Sequence, residues 1–343
     1  MSTIPVIDPS RPVLYAVYDL GLSPITFDVM NFFVFANLWT SRAGFGGYHV
    51  VFAHGPDDGF RNLTPKDMAL DRDEKIWRLR HILIQHAHIA RRCVGVSVVA
   101  SRVELTRLLQ TLHPQQVFPP NYTVKKPTRL FMLPQLLENT PTGEELAAFD
   151  ATPGAMRKVK AWLTRNAPGS RLVSLTLRTS NTETDRNSNL AAWCEAAYRI
   201  QKTGCTPVIV PDTDLVIEGR ERELFGDLPV YGPAAIDLEL RVALYRRAWL
   251  NLADNGGPAF LNYFMADPRI LCFLPVAKLP EVVQITGRGV DRMAELLGVK
   301  VGESFPFATP VSRFVWKPDT VENIMDAFER AASHLNVMKE SKA

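Results

Sequence analysis

The feature of this sequence that most constrains its fold is a repeated alternation of short apolar runs with helical patterns. The runs are rich in aliphatic residues and are typical of strands buried in a parallel sheet. They occupy residues 13–17, 48–53, 94–99, 172–177, 207–210, 249–252 and 270–274. Because helical patterns separate them, the sequence predicts parallel βαβ units and an α/β fold class.

The alternation occurs twice, on either side of a segment with a different composition. Residues 118–169 are rich in proline and turn-forming residues, as in Pro119-Pro120-Asn121 and Thr152-Pro153-Gly154, which is typical of a linker. A chain of 343 residues is also long enough for two domains of about 150 residues each. We therefore predict two Rossmann-like domains, residues 1–150 and 151–343, that face a central cleft.

Charge, cysteine usage and hydropathy narrow the class of protein. The net charge is only +3 and no basic run accompanies it, so nucleic acid is not an expected partner. Four scattered cysteines without a CxxC pair are typical of reduced thiols in a cytoplasmic protein. The N-terminus lacks the pattern of a signal peptide, and the apolar stretch 29–39 is too short to span a membrane. We expect a soluble protein without a transmembrane segment.

Polar residues after the predicted strands are candidate binding residues, because ligands of open parallel sheets bind at the carboxyl ends of strands. Arg178 follows the run 172–177 directly, and Arg186-Asn187-Ser188-Asn189 precedes the next helical pattern. Guanidinium groups bind phosphate oxygens bidentately, and a helix N-terminus adds to the attraction. These residues predict a clamp for a diphosphate. The alternative is simple helix capping by Ser188 or Asn189 beside solvated arginines.

Asp212 and Thr213 lie beyond the run 207–210. A carboxylate there can accept hydrogen bonds from ribose hydroxyls, so the pair predicts a contact with a nucleoside. Asp212 and Asp214 also have the Asp-x-Asp spacing of some metal sites, although turn formation explains the spacing more simply.

The turn Asp254-Asn255-Gly256-Gly257 follows the run 249–252. Its glycines let the backbone approach a ligand closely and present amide groups at the start of a helix. The turn therefore predicts a second part of the anion site. The alternative is a tight turn whose glycines are needed only for a positive φ.

The first half offers Asp19 and His54 as candidate general bases. Each follows a predicted strand, which places both at the same edge of the sheet. A carboxylate or an imidazole there could deprotonate a hydroxyl, and a turn or capping role is the alternative for each. Asp28 and the segment 57–61 would line the same side.

The signatures of several other chemistries are absent from the sequence. No GxGxxG, GxxxxGK[ST] or GxSxG motif occurs, which argues against a dehydrogenase, a P-loop protein and a hydrolase. His81, His86 and His88 have no HExxH pattern, so no metal site is predicted. Asp319 or Thr320 is expected to cap the last helix.

Four of these stretches resemble the donor-binding half of GT-B glycosyltransferases. They are Ser174 to Arg178, Arg186 to Trp193, Val210 to Thr213 and Asp254 to Pro258. The resemblance covers mainly residues 170–330, and it is closer to bacterial glycosyltransferases than to fucosyltransferases of the nodulation-factor and core-fucose type. The double-arginine pattern of those fucosyltransferases is absent, since Thr179 follows Arg178.

The resemblance implies a role for each stretch. Arg178 would hold the β-phosphate of a nucleotide sugar and assist the leaving group. The turn 254–257 would lie against the phosphates or the donor sugar, and Asp212 would lie near the nucleoside.

The activity that the resemblance implies is transfer of a sugar from a nucleotide-sugar donor to a hydroxyl of a saccharide or glycoconjugate, in bacterial surface polysaccharide or glycoconjugate synthesis. Residues 1–150 would bind the acceptor and residues 151–343 the donor. The nucleotide sugar is a substrate, no cofactor or bound metal is expected, and peripheral association with a membrane stays open. Two alternatives also stay open: a sugar-nucleotide epimerase, and a non-catalytic binding or scaffold protein with the same fold.

Overall fold

Two parallel sheets, one in each half of the chain, organise the fold. The computed structural model describes residues 7–56, 58–128, 132–169, 171–180, 184, 187–274 and 290–340. Contacts divide the chain into two units, Met1–Asp150 and Ala151–Ala343. Each unit combines its own parallel sheet with helices, which confirms the predicted α/β class.

The sheet of the first unit consists of β1 (Val13–Asp19), β2 (Gly47–Ala53), β3 (Cys93–Val99) and β4 (Val117–Phe118). The strand order is β3-β2-β1-β4, and every pair is parallel. The register pairs Asp19 with Ala53. The residues that follow β1 and β2 therefore lie side by side at the carboxyl edge of the sheet.

The helices of the first unit connect these strands and cover the sheet. They are α1 (Val29–Arg42), α2 (Pro65–Ala69), α3 (Arg72–Arg78), a π-helical turn (Leu79–Leu83), α4 (Ile84–Ile89), α5 (Arg102–Gln110), a 3₁₀ turn (Pro114–Gln116), α6 (Leu133–Glu138) and α7 (Gly143–Leu146). Residues 72–89 form one nearly continuous helical run, from α3 through the π-helical turn to α4. Helix α1 starts after Asp28.

The sheet of the second unit consists of β5 (Leu172–Thr176), β6 (Thr206–Val210), β7 (Leu250–Asp254), β8 (Ile270–Phe273) and β9 (Ser312–Val315). The order is β6-β5-β7-β8-β9, again with every pair parallel. The chain adds β6 on one side of β5 and β7 on the other. The topological switch point, where doubly wound sheets bind ligands, therefore lies between the carboxyl ends of β5 and β7.

Helices connect the strands of the second unit as well. They are α8 (Pro153–Asn166), α9 (Leu190–Lys202), α10 (Thr213–Glu218), α11 (Glu221–Phe225), α12 (Pro233–Ile236), α13 (Leu238–Arg247), a 3₁₀ helix (Gly257–Phe264), α14 (Val290–Leu297) and α15 (Val321–Glu340). The core between sheet and helices includes the fully buried Trp193 of α9.

Strands β4 and β9 were not predicted. Both are short, with two and four residues respectively, and both lie in segments that the sequence assigned to a linker or to the approach to the last helix. A run this short carries too little periodicity to be separated from a loop.

Candidate functional site

Two of the predicted binding segments meet at the switch point of the second unit. The register of β5 and β7 ends with Thr176 beside Ala253. Arg178 and Asn255 each lie two residues beyond this pair, in the segments that follow two neighbouring strands whose axes are about 4.8 Å apart. The sheet topology therefore brings the loop after β5 and the turn after β7 to one place.

The loop after β5 is held at its base by paired hydrogen bonds. The Arg178 amide donates to Ser188 Oγ at 2.8 Å, and the Ser188 amide donates to the Arg178 carbonyl at 3.0 Å. One step further, the Ser180 amide donates to Asn187 Oδ1 at 3.0 Å, and Asn187 Nδ2 donates to the Ser180 carbonyl at 2.9 Å. The Asn187 and Ser188 side chains thus shape the loop that carries Arg178. Arg186 lies outside the described residues.

The N-terminus of α9 follows this loop, and its amides are partly bonded by protein groups. Asn189 Oδ1 accepts from the Ala192 amide at 3.3 Å, which is the capping bond that the sequence predicted. Asp319 Oδ2 accepts from the Asn189 amide at 2.6 Å and from Trp193 Nε1 at 3.1 Å. A buried carboxylate therefore already balances the positive end of the α9 dipole.

The structure selects between the two residues, Asp319 and Thr320, that were expected to cap the last helix. Thr320 Oγ1 accepts from the Asn323 amide at 3.3 Å and so caps α15. The Asp319 carboxylate instead reaches α9, 130 residues away in sequence. Capping rules describe partners within one turn, so they could not indicate this long-range contact.

Asp212, two residues after the end of β6, also binds the backbone of the loop that follows β5. Its Oδ2 accepts from the Thr179 amide at 2.8 Å. Burial raises the pKa of Asp212, although the Thr179 hydrogen bond and the nearby charges of Arg178 and Arg241 act in the opposite direction. The Thr213 hydroxyl donates to the Ala235 carbonyl at 2.9 Å. Asp212 therefore orients the residue next to Arg178, while contact with a nucleoside stays a prediction for Asp212 and Thr213.

The turn after β7 leaves space at its first glycine. Asp254 and Asn255 are buried, and Asp254 Oδ1 accepts from the Asn255 amide at 2.8 Å. Gly256 has φ −129°, a value open to any residue, so the positive-φ explanation fails for this glycine. An added Cβ at Gly256 would meet no atom nearer than 3.8 Å. Neither the backbone nor the packing of the described residues therefore requires glycine at this position.

Aromatic packing anchors the helix that follows the turn after β7. Gly257 begins the 3₁₀ helix, whose Phe260 and Tyr263 rings pack against Phe314 of β9 at centroid distances of 5.9 and 5.2 Å. Aromatic pairs at such distances stabilise a fixed geometry. The amides of Gly256 and Gly257 are thus presented from an anchored segment at the switch point.

In the first unit, Asp19 lies at the end of β1 with a fully buried carboxylate. Arg102 binds it with two nitrogens, at 2.6 Å to Oδ2 and 2.7 Å to Oδ1. The Tyr122 hydroxyl donates to Oδ2, and the Gly21 amide donates to Oδ1 at 2.9 Å. Four donors occupy the carboxylate. Asp19 could accept a proton from a hydroxyl only if one of them moved away.

His54 lies at the same edge, as predicted from its position after β2. Its Nδ1 is 2.6 Å from the Gly55 carbonyl oxygen. Its ring fills the space where a Cβ of Gly59 would stand, only 2.8 Å from Nε2, and Gly59 has φ +98°. Glycine is therefore required at position 59 on both counts. The structure brings His54 and Asp19 to one edge, and their catalytic roles stay predictions.

Other predicted residues of this edge take part in the local framework. Asp28 Oδ2 accepts from the Thr26 hydroxyl at 2.9 Å. Asp58 pairs with the buried Lys75 at 3.2 Å, while residue 57 lies outside the described residues. Arg102 and Tyr122 were not predicted as partners of Asp19, because they lie 83 and 103 residues from it in sequence and leave no local pattern.

Among the residues that the structure describes, no three His, Cys, Asp or Glu side chains are grouped so that they could hold a metal ion. Over the same residues, none of the helices combines the length and the apolar character needed to cross a membrane.

Comparison with known proteins gives a likeness of structure. No protein-family model matches the chain, and a search of curated proteins finds no match. The glycosyl transferase of family 9 from Veillonella parvula DSM 2008 is similar with a TM-score of 0.53 and 11% sequence identity, over 96% of this chain and 98% of that chain.

Two further solved structures have lower scores. The ADP-heptose lipopolysaccharide heptosyltransferase II of E. coli has a TM-score of 0.49 and 9% identity, over 96% of this chain and 99% of that chain. The E. coli heptosyltransferase WaaC with ADP has a TM-score of 0.44 and 15% identity, over 94% and 99%. The likeness to the Veillonella protein confirms the predicted fold class: the chain has a GT-B-like fold with two Rossmann-like units.

Proposed function

We propose that this protein is a GT-B glycosyltransferase, which transfers a sugar from a nucleotide-sugar donor to a hydroxyl of a saccharide or glycoconjugate acceptor. Residues 151–343 bind the donor in this proposal, and residues 1–150 bind the acceptor. The fold shared with the Veillonella glycosyl transferase agrees with this assignment. The observation that carries it is the pairing of β5 with β7 at the switch point of the second sheet, since Arg178 follows β5 and the Gly256–Gly257 turn follows β7.

The chemistry of sugar transfer explains why these groups are suited to the task. Negative charge builds on the departing diphosphate as the bond to the sugar breaks. A guanidinium group and backbone amides that are already oriented stabilise such charge, typically by several kcal/mol. Arg178 supplies the cation in this proposal, and the Gly256 and Gly257 amides supply neutral donors. The open space at Gly256 supports a close approach of a phosphate.

Asp212, Asn187 and Ser188 have a supporting role in the proposed donor site. Their side chains bind the backbone of the loop that carries Arg178. Binding sites gain affinity when their groups are held in place before the ligand arrives. These three residues therefore fix the course of the loop, and Asp254 and Asn255 do the same for the turn after β7.

The proposal also includes a cytoplasmic location and peripheral association with a membrane. All four cysteines are free thiols, which agrees with the reducing environment of the cytoplasm. Donor and acceptor would be bound there, with a membrane-linked glycoconjugate as one class of acceptor.

A second candidate function is favoured by one observation, the four donors bound to Asp19. A carboxylate that binds four donors stabilises the fold, and it is not available as a general base while they are bound. If His54 does not act as the base either, the chain is a nucleotide-binding protein without catalysis.

The test is a thermal-shift screen of the purified chain against nucleoside diphosphates and nucleotide sugars, with Arg178→Ala beside the wild type. A ligand at 100 times its Kd adds about 2.7 kcal/mol of stability. A shift with one nucleoside diphosphate that the variant loses supports the donor site. No shift with any ligand, from folded protein, contradicts it.

A turnover assay with the ligand from that screen then separates the activities. Release of nucleoside diphosphate that depends on added acceptor is expected of a transferase. Interconversion of the sugar without acceptor identifies an epimerase, and binding without turnover identifies the non-catalytic alternative.

A further inference from the structure

Helix α13 buries a charged residue that the sequence analysis did not single out. Arg241 is 2% exposed, and its guanidinium donates from Nε to the Ala234 carbonyl at 2.7 Å and from Nη1 to the Tyr245 hydroxyl at 3.3 Å. Both acceptors are uncharged. Within the part of the chain that the structure describes, no carboxylate lies within ion-pair distance of Arg241.

A buried guanidinium without a paired anion is unusual. Arginine is almost never fully buried unless it is paired, because removing a charge from water is costly. Asp212 is close enough to interact electrostatically with Arg241, but it also interacts with Arg178 and accepts a hydrogen bond from the Thr179 amide. It is therefore shared between several partners and does not serve Arg241 alone.

The position of Arg241 is at the same edge of the sheet as the proposed donor site. The Tyr245 hydroxyl, to which Arg241 donates, is 2.9 Å from the hydroxyl of Thr176, the last residue of β5. Helix α13 leads back to the start of β7 and so runs opposite to the strands. Arg241, one turn before Tyr245, therefore lies nearer to the carboxyl edge.

The surrounding contacts place Arg241 there independently. Its Nε partner Ala234 is next to Ala235, whose carbonyl accepts from Thr213 directly after β6. The guanidinium thus lies among groups from the carboxyl ends of β5 and β6. Its remaining nitrogen, Nη2, makes no hydrogen bond within the described residues.

We propose that Arg241 is the buried cation of the donor site, and that the diphosphate of a nucleotide sugar supplies the counter-charge that the fold does not provide. This inference rests on the proposed function and adds to it a second cation besides Arg178. The ligand class is an anion with a pyrophosphate group. A buried, water-excluded cation attracts such an anion more strongly than an exposed one.

The test compares pyrophosphate binding by the wild-type chain, Arg241→Met and Arg222→Met, measured by isothermal titration calorimetry at low ionic strength. Arg222 is an exposed arginine of the same unit, on α11, so its variant is a matched control for loss of one positive charge. We expect Arg241→Met to weaken pyrophosphate binding at least tenfold, and Arg222→Met to change it less than twofold. The unfolding temperature of ligand-free Arg241→Met should equal or exceed that of the wild type, because methionine fills a similar volume without a buried charge.

Pyrophosphate binding by Arg241→Met that equals binding by the wild type overturns the proposal, whatever the stability of the variant. If Arg241→Met does not fold, Arg241→Lys decides: weaker binding than the wild type supports the proposal, and equal binding contradicts it. Loss of binding in Arg178→Ala but not in Arg241→Met overturns only the role of Arg241. A wild-type chain that binds neither pyrophosphate nor any nucleoside diphosphate overturns the proposed donor site as a whole.

Discussion

Asp19 illustrates how a residue at a strand end can be occupied by its own fold. Its carboxylate is fully buried and binds Arg102, Tyr122 and the Gly21 amide. The pattern of a carboxylate after a strand is therefore ambiguous, because it predicts either a base or a support for neighbouring loops. The structure shows Asp19 supporting its neighbouring segments, and its role as a general base stays a prediction.

Replacing Asp19 with asparagine is expected to destabilise the first unit. Asp19→Asn removes the charge that pairs with Arg102, and breaking a buried pair costs several kcal/mol. Because Arg102 is 30% exposed, water compensates in part, and we expect a loss of about 2 kcal/mol in the free energy of unfolding. Urea denaturation measures it, with Asp28→Asn as an exposed control. Equal stability of the two variants would contradict the supporting role.

His86 makes stability depend on pH. It is fully buried beside Phe27, Phe33 and Phe149, and burial lowers its pKa from 6.5 to about 4. Because the pKa of the folded state is below that of the unfolded chain, protonation favours the unfolded chain. Stability should therefore be full above pH 6.5 and fall as the pH drops from 6.5 toward 4, by up to about 3 kcal/mol.

The variant His86→Gln is expected to lose most of this dependence, while His88→Gln, at an exposed position, should keep it. Denaturant unfolding at pH 7 and at pH 4.5 measures the difference. Glu145, whose pKa is lowered from 4.5 to about 2 by Arg42, also loses part of its stabilising effect near pH 4.5. It is unchanged in both variants, so it contributes equally to the dependence of each. A wild-type slope in His86→Gln would contradict this account.

At the scale of secondary-structure elements, the start of α9 depends on a distant residue. Asp319 binds the Asn189 amide and the Trp193 indole from just before α15. We expect Asp319→Ala to lower the free energy of unfolding by roughly 2–4 kcal/mol, because hydrogen bonds to a charged group are strong and the partners are buried. Thr320→Ala removes only a local cap and should cost about 1 kcal/mol. Thermal unfolding compares them, and the reverse order would refute the long-range role.

The turn after β7 should tolerate a methyl group in the free protein but not in the complex. Gly256→Ala adds a Cβ into open space at an ordinary φ of −129°, so stability should stay equal or rise by less than about 1 kcal/mol. Binding of nucleoside diphosphate should weaken about tenfold or more, because the methyl group lies where a phosphate approaches the backbone. Gly204→Ala, at φ +81°, is the control: it should destabilise the fold and leave binding intact. Unchanged binding in Gly256→Ala would argue against this anion site.

At the scale of the whole molecule, periodicity predicted the α/β class and the polar edges of the two sheets. Those features depend on neighbours along the chain, and local patterns report them well. The contacts of Asp19 with Arg102, and of Asp319 with α9, join segments that are far apart in sequence. Only the packed structure brings such groups together.

The burial of Arg241 could be predicted from the sequence, but its counter-charge could not. Arg241 lies three residues after Leu238 and one before Val242, on the face of α13 that is buried. A charged residue on an apolar helical face is a signal that the sequence does contain. Its counter-charge, however, cannot be read from the sequence.

The central claim is that the second unit holds a nucleotide diphosphate at the switch point of its sheet. The most direct measurement is a crystal structure of the chain with the nucleoside diphosphate that gives the largest thermal shift. We expect the diphosphate within hydrogen-bonding distance of the Arg178 guanidinium and of the Gly256 and Gly257 amides. A cavity of about 310 Å³ at the opposite edge of this sheet, lined in part by Lys160 and Arg247, offers a rival position for an anion. Density for the diphosphate in that cavity, or in the first unit, with the switch point empty, would contradict the account.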